Sequence, residues 1–582
     1  MLAVGGARGR RGDASGRLLV TGAAAVLAAG MLLSGMLVGG GAATAAAPAP
    51  AATPRSSAIA VVVPITVPAT DRGLLSAAVL GEFTATNPAG LLTRQLDAVT
   101  GSAATIAVDP MIVESIRVLG DEAPASARAW LARLVALPNE SFLLQYADAD
   151  ATLFTQSDAG ALLAPATRAT TEDPTADAPG ASPTPTPTAN DDATDADSVF
   201  VPDLDGIVWP RAGTVAATDL DRLDATALVL GAVDVASPAS VGVVVDVGGH
   251  RALVIEPTAS AALLDAARAT TDADWDAAIA IAIDAVRAAI AAQPDGTGTV
   301  VLGLDRLAAA GAPRLAAAIS AIAGAVPVGT TPLASLVDPS TGVRTAELVP
   351  GAQPPERIAG IDRLLGAERA VAGFATAVDD PAVLTTARRL ATLAIGSVAW
   401  ATRDDWGSAV DASIATADEL LSSVRIIESS SLFLADRSRL PVAIQNDGPQ
   451  PVTLLVSADA RTGLLDVDST PVEVVVPAGS QATVEFEATA VSNGSVLVTV
   501  TMVSPTGVAI GTPASAEVNV QAGWETPIVV GIGAAFVVLL IFGVIRTVRR
   551  YRRRVAEAAA EDAADAPAVP PALPPTEDAP HG

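Results

Sequence analysis

Ile59-Ala60-Val61-Val62-Val63-Pro64-Ile65-Thr66-Val67 is the stretch on which the fold turns. Its run of β-branched residues reads as a buried strand at the start of the folded part. Downstream, short apolar runs alternate with helical patterns. Thr105–Val108 reads as a strand and a helix follows from Pro110. Residues Ala125–Leu137 form a second helix with Trp130, Leu131, Leu134 and Val135 on one face, and Phe142–Tyr146 is the next strand. Further strands are expected at Gly206–Trp209, Ala227–Leu230, Val241–Val247, Ala252–Ile255 and Thr299–Leu304. Helical patterns at Thr258–Ala269, Trp275–Ala292 and Arg306–Gly324 separate the later ones. Such alternation argues for a mostly parallel sheet, open or closed into a barrel. Gly248-Gly249 between two apolar runs reads instead as a β-hairpin. Residues 58–345 are therefore expected to form a distorted α/β barrel-like domain.

The pattern changes twice more. Residues 346–425 turn helical, with Pro381 starting a new helix and three packed helices expected. Residues 426–521 hold seven short runs rich in Val, Thr and Leu, at Leu432–Leu434, Leu440–Gln445, Val452–Ala458, Pro471–Val476, Ala482–Ala488, Ser495–Val503 and Ala514–Val520. Turns at Asn446-Asp447-Gly448, Ala478-Gly479 and Asn493-Gly494 separate some of them. That is the pattern of an Ig-like β-sandwich. The fold class is thus multi-domain, α/β plus all-β.

Two apolar runs bracket these parts. Leu18–Val38 follows Arg8, Arg10, Arg11 and Arg17 and ends in small residues, so 1–45 reads as a signal peptide and 46–57 as an Ala/Pro tether. Pro527–Ile545 carries no charge and is followed by Arg546, Arg549, Arg550, Arg552, Arg553 and Arg554. It reads as a transmembrane helix with Trp524 at the interface and a cytoplasmic tail over 546–582. The expected protein is a single-pass one of the cell membrane, with its N-terminal ectodomain extracellular. A receptor role is disfavoured by a tail that is too short to be a domain. Residues 166–198 carry seven acidic residues, one arginine and Pro183-Thr184-Pro185-Thr186-Pro187-Thr188, a composition that cannot build a core. An O-glycosylated spacer is one reading of this insertion, and a tolerated loop insertion is the simpler one.

Composition excludes several chemistries. There is no cysteine, so disulfides, thiolate metal sites and cysteine nucleophiles are ruled out. There is no lysine either, which removes Schiff-base chemistry and the phosphate-loop lysine. A net charge of −28 argues against nucleic acid as a partner. The only histidines are His250, in the hairpin turn, and His581. A His-based zinc site cannot be assembled from them outside the membrane, and no Gly-x-Ser-x-Gly elbow accompanies His250. No metal and no cofactor is expected.

Any catalysis would have to rest on carboxylates. Asp109, Asp148, Asp150, Glu256 and Asp305 all follow expected strands, where sites form in α/β folds. Asp109-Pro110 and Glu256-Pro257 also fit helix caps with proline in the first helical position, and Asp305 fits a cap too. Tyr146-Ala147-Asp148-Ala149-Asp150 exceeds what one cap requires. Asp109, Asp148 and Asp150 are thus the catalytic candidates. Tyr146 and Trp209 are the candidate ligand-binding aromatics, against the simpler reading of Trp209 as a core residue at a strand end.

Several short motifs occur in a fixed order. They are Val63-Pro64-Ile65-Thr66, Ala107-Val108-Asp109-Pro110, Tyr146-Ala147-Asp148-Ala149-Asp150 and Val208-Trp209-Pro210, then Leu440-Pro441-Val442-Ala443-Ile444-Gln445-Asn446 and Val476-Pro477-Ala478-Gly479-Ser480. With the span and its arginines, they resemble the DUF6049 domain family of actinobacterial membrane-anchored envelope proteins. The resemblance implies a surface protein often encoded beside the lipid II flippase, and hence a link to peptidoglycan-assembly machinery. It implies no reaction. The first domain of such proteins is also similar to polysaccharide-deacetylase-type barrels, whose metal histidines this chain lacks. The expected function is non-catalytic binding or scaffolding of a cell-wall glycan or an envelope protein. The alternative is a carboxylate-dependent, metal-independent glycan hydrolase.

Overall fold

The computed structural model describes residues 57–164, 199–238, 242–293, 298–325, 328–427, 431–433, 437–520 and 525–562. The expected signal peptide, nearly all of the tether, the acidic Pro/Thr insertion, Trp524 and His581 lie outside the described residues.

Ten strands form one curled sheet. They are β1 (Ser57–Ile65), β2 (Thr105–Val108), β3 (Ser141–Leu143), β4 (Ile207–Val208), β5 (Ala227–Gly231), β6 (Val244–Val247), β7 (His250–Ile255), β8 (Thr299–Gly303), β9 (Val328–Thr330) and β10 (Arg344–Ala346). The main path runs β10-β6-β7-β8-β1-β2-β3, with β9 on β1, β5 on β7 and β4 on β5. All of these pairs are parallel except β6–β7. The sheet is a half-barrel whose flanks approach through one parallel bridge, Phe142 to Leu204.

Alternation within β1 explains its sequence. Ile59, Val61, Val63 and Ile65 pack outward against Leu92, Leu96, Ile112, Leu263 and Leu315 of the surrounding helices. Ala60 and Val62 point the other way, into an interior filled by Ala107, Phe142, Ile207, Val229, Leu253 and Val301. A strand covered on both faces needs apolar residues at every position. At the start of the strands the interior is stoppered by Leu333 and Leu336. Glu140 fixes that stopper by accepting the Leu333 and Ala334 N–H groups at 2.6 and 3.0 Å.

The Gly248-Gly249 hairpin is present as the antiparallel β6–β7 pair, both glycines having positive φ (62° and 91°). Three expectations change. The strand expected over Phe142–Tyr146 stops at Leu143, because the chain turns into a short helical coil at Tyr146–Asp148. The helix expected over Arg306–Gly324 is broken into a 3-10 turn at Ala308–Gly311 and a helix at Leu315–Ala325. Leu307 is left-handed (φ 65°), and Pro313 has no N–H to offer an uninterrupted helix. The short strands β9 and β10 add to the pattern that the sequence gives.

The helical segment contains three helices, Pro355–Ala375, Ala382–Ile395 and Trp406–Ser422. It docks on the α/β part through Leu153, Ile361, Leu364, Ile395, Trp400 and Trp406, which share a core. The seam is tight at Gly396. Asp150 N–H donates to its carbonyl at 3.0 Å, and a Cβ there would lie 2.3 Å from the fully buried ring of Phe154. Gly396→Ala is therefore expected to cost about 1–3 kcal/mol through overpacking. Thermal unfolding would register it, and an unchanged midpoint would mean that Phe154 yields freely.

Two further sheets follow, of nine strands among the described residues against the seven that the sequence pattern gives. One is ordered β11 (Val424–Ile427), β13 (Arg437–Asn446), β17 (Ser480–Ala490) and β15 (Leu465–Val467). The other is ordered β12 (Ser431–Phe433), β19 (Ala514–Val520), β18 (Gly494–Val503), β14 (Val452–Ala460) and β16 (Val472–Val476). Every pair is antiparallel except β12–β19. Alternate residues, among them Leu440, Val442, Ile444 and Phe486 from one sheet and Leu454, Val456, Val498 and Val500 from the other, fill a common core. Buried Asn446 secures the Asn446-Asp447-Gly448 turn. Its Nδ2 donates to the Gln450 carbonyl at 2.8 Å and its Oδ1 accepts from Gly448 N–H at 2.9 Å. A single helix, Glu525–Asp562, closes the described chain, and its residues Ile528–Ala556 are long and apolar enough to cross a membrane.

Candidate functional site

The strand ends of the half-barrel gather a cluster of charged and aromatic side chains. β2 runs into Asp109, β3 into Tyr146, Asp148 and Asp150, β4 into Trp209, and β8 into Asp305 and Arg306. Of the five acids read from the sequence, Asp109, Asp148 and Asp150 are buried. Asp305 is exposed.

Asp109 and Glu256 act as helix caps, Asp109 by accepting from Met111 N–H at 2.9 Å and Glu256 by accepting from Ala259 N–H. Asp305 does not. The left-handed Leu307 sits at the entrance to the following 3-10 turn, where no side-chain cap is made.

Consecutive left-handed residues, Ala147 (φ 57°) and Asp148 (φ 48°), shape the turn after β3. Such backbone is costly for residues with a Cβ and persists only where its surroundings fix it. Here the Asp109 carboxyl accepts from Met111 N–H at 2.9 Å and lies against the backbone N–H groups of Ala147 and Asp148, while Asp148 N–H donates to the Gln145 carbonyl at 2.8 Å. Burial raises the Asp109 carboxyl from 3.8 to about 8; the N–H groups oppose that shift, and the neighbouring Asp148 charge adds to it. Asp148 itself is clamped by Arg306, whose Nε and Nη2 donate to its two carboxylate oxygens at 3.2 Å each. Burial nevertheless outweighs the arginine, so the Asp148 carboxyl lies above its ordinary value.

Arg306 makes two further contacts. Its Nη2 donates to the Trp209 carbonyl at 2.9 Å, and its guanidinium lies 4.5 Å from the centre of the Trp209 ring. Trp209 is half-buried, neither a sealed core residue nor an open platform. Tyr146 packs between two cores and donates its hydroxyl to the Gly73 carbonyl at 2.5 Å. Its pKa is pushed up by burial and by the Asp109 charge.

Asp150 is held separately. Its Oδ1 accepts from Thr152 Oγ1 at 2.9 Å and its Oδ2 from Gln353 Nε2 at 2.7 Å. Close by, Arg357 is buried, donates Nη2 to the Ser397 carbonyl at 3.3 Å and lies over the Trp406 ring at 5.1 Å. Arg306, Gln353 and Arg357 were not singled out from the sequence. Only Arg306, one residue after a strand-end acid, carried a local signal.

The three candidate acids thus share one end of the sheet, each already engaged by protein groups. Two concave sites among the described residues lie elsewhere. One is lined by Ile426, Leu440, Val442, Val498 and Val500, the other by Phe374, Leu384, Leu420 and Asn446. Neither has an acid in its lining. His250, the first residue of β7, meets Asp221 at 3.0 Å away from the cluster.

No curated protein matches the chain. Among solved structures, part of Escherichia coli α-2-macroglobulin is similar at 24% identity, with a TM-score of 0.16, over 18% of this chain and 17% of that one. The chain therefore spans less than a fifth of that relative. A PapD-like domain of human CEP192 is similar at 10% identity and TM-score 0.14, over 18% of this chain and 87% of its own. The α-amylase AmyC of Thermotoga maritima is similar at 11% identity and TM-score 0.39, over 63% of this chain and 94% of its own. One family model matches residues 42–572, and the chain belongs to that family, DUF6049, a family of unknown function.

Proposed function

We propose that the protein is a single-pass, extracytoplasmic envelope protein that binds or scaffolds a cell-wall glycan or an envelope protein partner. In this reading the two facing sheets are an Ig-like sandwich above the membrane, and the half-barrel carries the binding surface. The observation that carries it is the state of the acids. Asp109 is tied into a cap, Asp148 into the Arg306 clamp, and Asp150 to Thr152 and Gln353. A glycosidase needs two facing carboxyl groups that a sugar can reach, whereas these are spent on internal contacts. Peptidoglycan-assembly machinery is the partner class we favour.

A second reading, the glycan hydrolase, is favoured by one feature. A carboxyl lifted to about 8 beside another carboxyl is what a general acid requires.

The test separates them. Full-length protein in detergent is expected to co-sediment with purified cell-wall sacculi, or to retain an envelope protein from native membranes, while releasing no new reducing ends from the sacculi. Trp209→Ala should weaken glycan retention if the Trp209–Arg306 face makes the contact. Release of reducing ends that disappears in a folded Asp148→Asn variant would replace the binding reading with the hydrolase.

A further inference from the structure

The helix Glu525–Asp562 does not end where its apolar part ends. It continues unbroken through Arg546, Arg549, Arg550, Arg552, Arg553 and Arg554. The uncharged run Pro527–Ile545 is about 28 Å long as a helix, close to the ~30 Å hydrocarbon thickness of a bilayer. With that run across a membrane, Arg546 stands at the boundary and Arg554 about 12 Å beyond it along the axis.

The arginines are not spread evenly around the helix. At 3.6 residues per turn, all six lie within about 200° of its circumference. Val548, Tyr551 and Val555 occupy the remaining side and are 48%, 70% and 50% exposed. The helix thus presents a guanidinium face and an apolar seam with an aromatic ring, an arrangement suited to the interfacial layer. No acid stands among the six arginines, and the first after them is Glu557. In a chain of net charge −28 this is a concentrated positive patch, six arginines within nine residues.

We propose that Arg546–Arg554 is a binding surface for the phosphate headgroups of anionic membrane lipids. The guanidinium fork matches a phosphate with paired hydrogen bonds, and the continuous helix presents several forks to one headgroup layer. The neighbouring leaflet supplies such phosphates at the height where the arginines emerge. The proposal rests on the helix crossing a membrane and not on what the half-barrel binds.

The experiment uses full-length protein in a neutral detergent, titrated with phosphatidylglycerol or phosphatidylcholine and read by native mass spectrometry. The comparison is a variant with Arg549→Gln, Arg550→Gln, Arg553→Gln and Arg554→Gln, whose tryptophan-monitored unfolding should match the parent. The parent is expected to retain phosphatidylglycerol at least tenfold better than phosphatidylcholine, and the variant to lose at least tenfold of that preference. Millimolar inorganic phosphate should displace little of the lipid. Equal retention of the two lipids, or a preference that survives in the variant, overturns the proposal. So does full displacement by free phosphate, which would make the patch a site for the soluble ion. Tight capture of an acidic peptide without lipid preference would assign the patch to a protein and overturn it too.

Discussion

Arg306→Met is expected to destabilise the α/β part by about 3–5 kcal/mol at neutral pH, the usual cost of leaving one member of a buried ion pair alone. Arg306 and Asp148 have side-chain exposures of only 16% and 6%, so solvent screening removes little of the effect. The substitution keeps an unbranched apolar stem but removes the guanidinium over the Trp209 ring, both donors to Asp148 and the donor to the Trp209 carbonyl. Asp148 is already raised by burial and would respond by taking up a proton, so the loss should shrink as the pH is lowered. Adding Asp148→Asn to Arg306→Met should recover part of the stability, since an amide needs no counter-charge. Tryptophan fluorescence suits the measurement, because Trp130, Trp209, Trp275, Trp400 and Trp406 all lie in the α/β and helical parts. Additive losses in the double variant would show that the pair is not coupled.

The second large effect is a pH dependence set by Asp109. Its folded value of about 8 stands far above the ordinary 3.8. The native state therefore keeps a proton that the unfolded chain sheds, and stability falls with rising pH wherever the native state binds more protons. This contribution is complete below about pH 4, declines as the pH rises toward 8, and changes no further above that. Within the window the slope approaches about 1.4 kcal/mol per pH unit. Asp109→Asn keeps an acceptor for Met111 N–H but cannot ionise. Its unfolding midpoint should be less sensitive between pH 5 and pH 8 than that of the parent. Parallel curves for the two proteins would refute a proton held at this position.

What the sequence disclosed follows from how local each cause is. β1 was legible because burial on both faces forces an unbroken apolar run, and the β6–β7 hairpin because two glycines supply its positive φ values. The caps at Asp109 and Glu256 were legible because proline follows each of them. The site's wiring was not. Arg306 reaches Asp148 across 158 positions and Gln353 reaches Asp150 across 203, distances at which no periodicity speaks. The broken helix after Arg306 was misread because its alanines suit a helix, while the left-handed Leu307 is imposed by the fold. β9 and β10, of three residues each, are too short to show alternation.

The helix Pro355–Ala375 touches different cores along its length. Ile361 and Leu364 join Leu153 and Ile395 of the half-barrel seam, while Phe374 lies in the core between the two facing sheets. Those contacts are about 15–20 Å apart along one rigid rod. A tensile load on the half-barrel would therefore reach the sheets through interlocked side chains rather than a slack tether. The rod acts as a strut. Cutting the chain within it would strip apolar cover from both neighbours at once, so fragments divided there should aggregate, whereas the intact chain transmits strain as one piece.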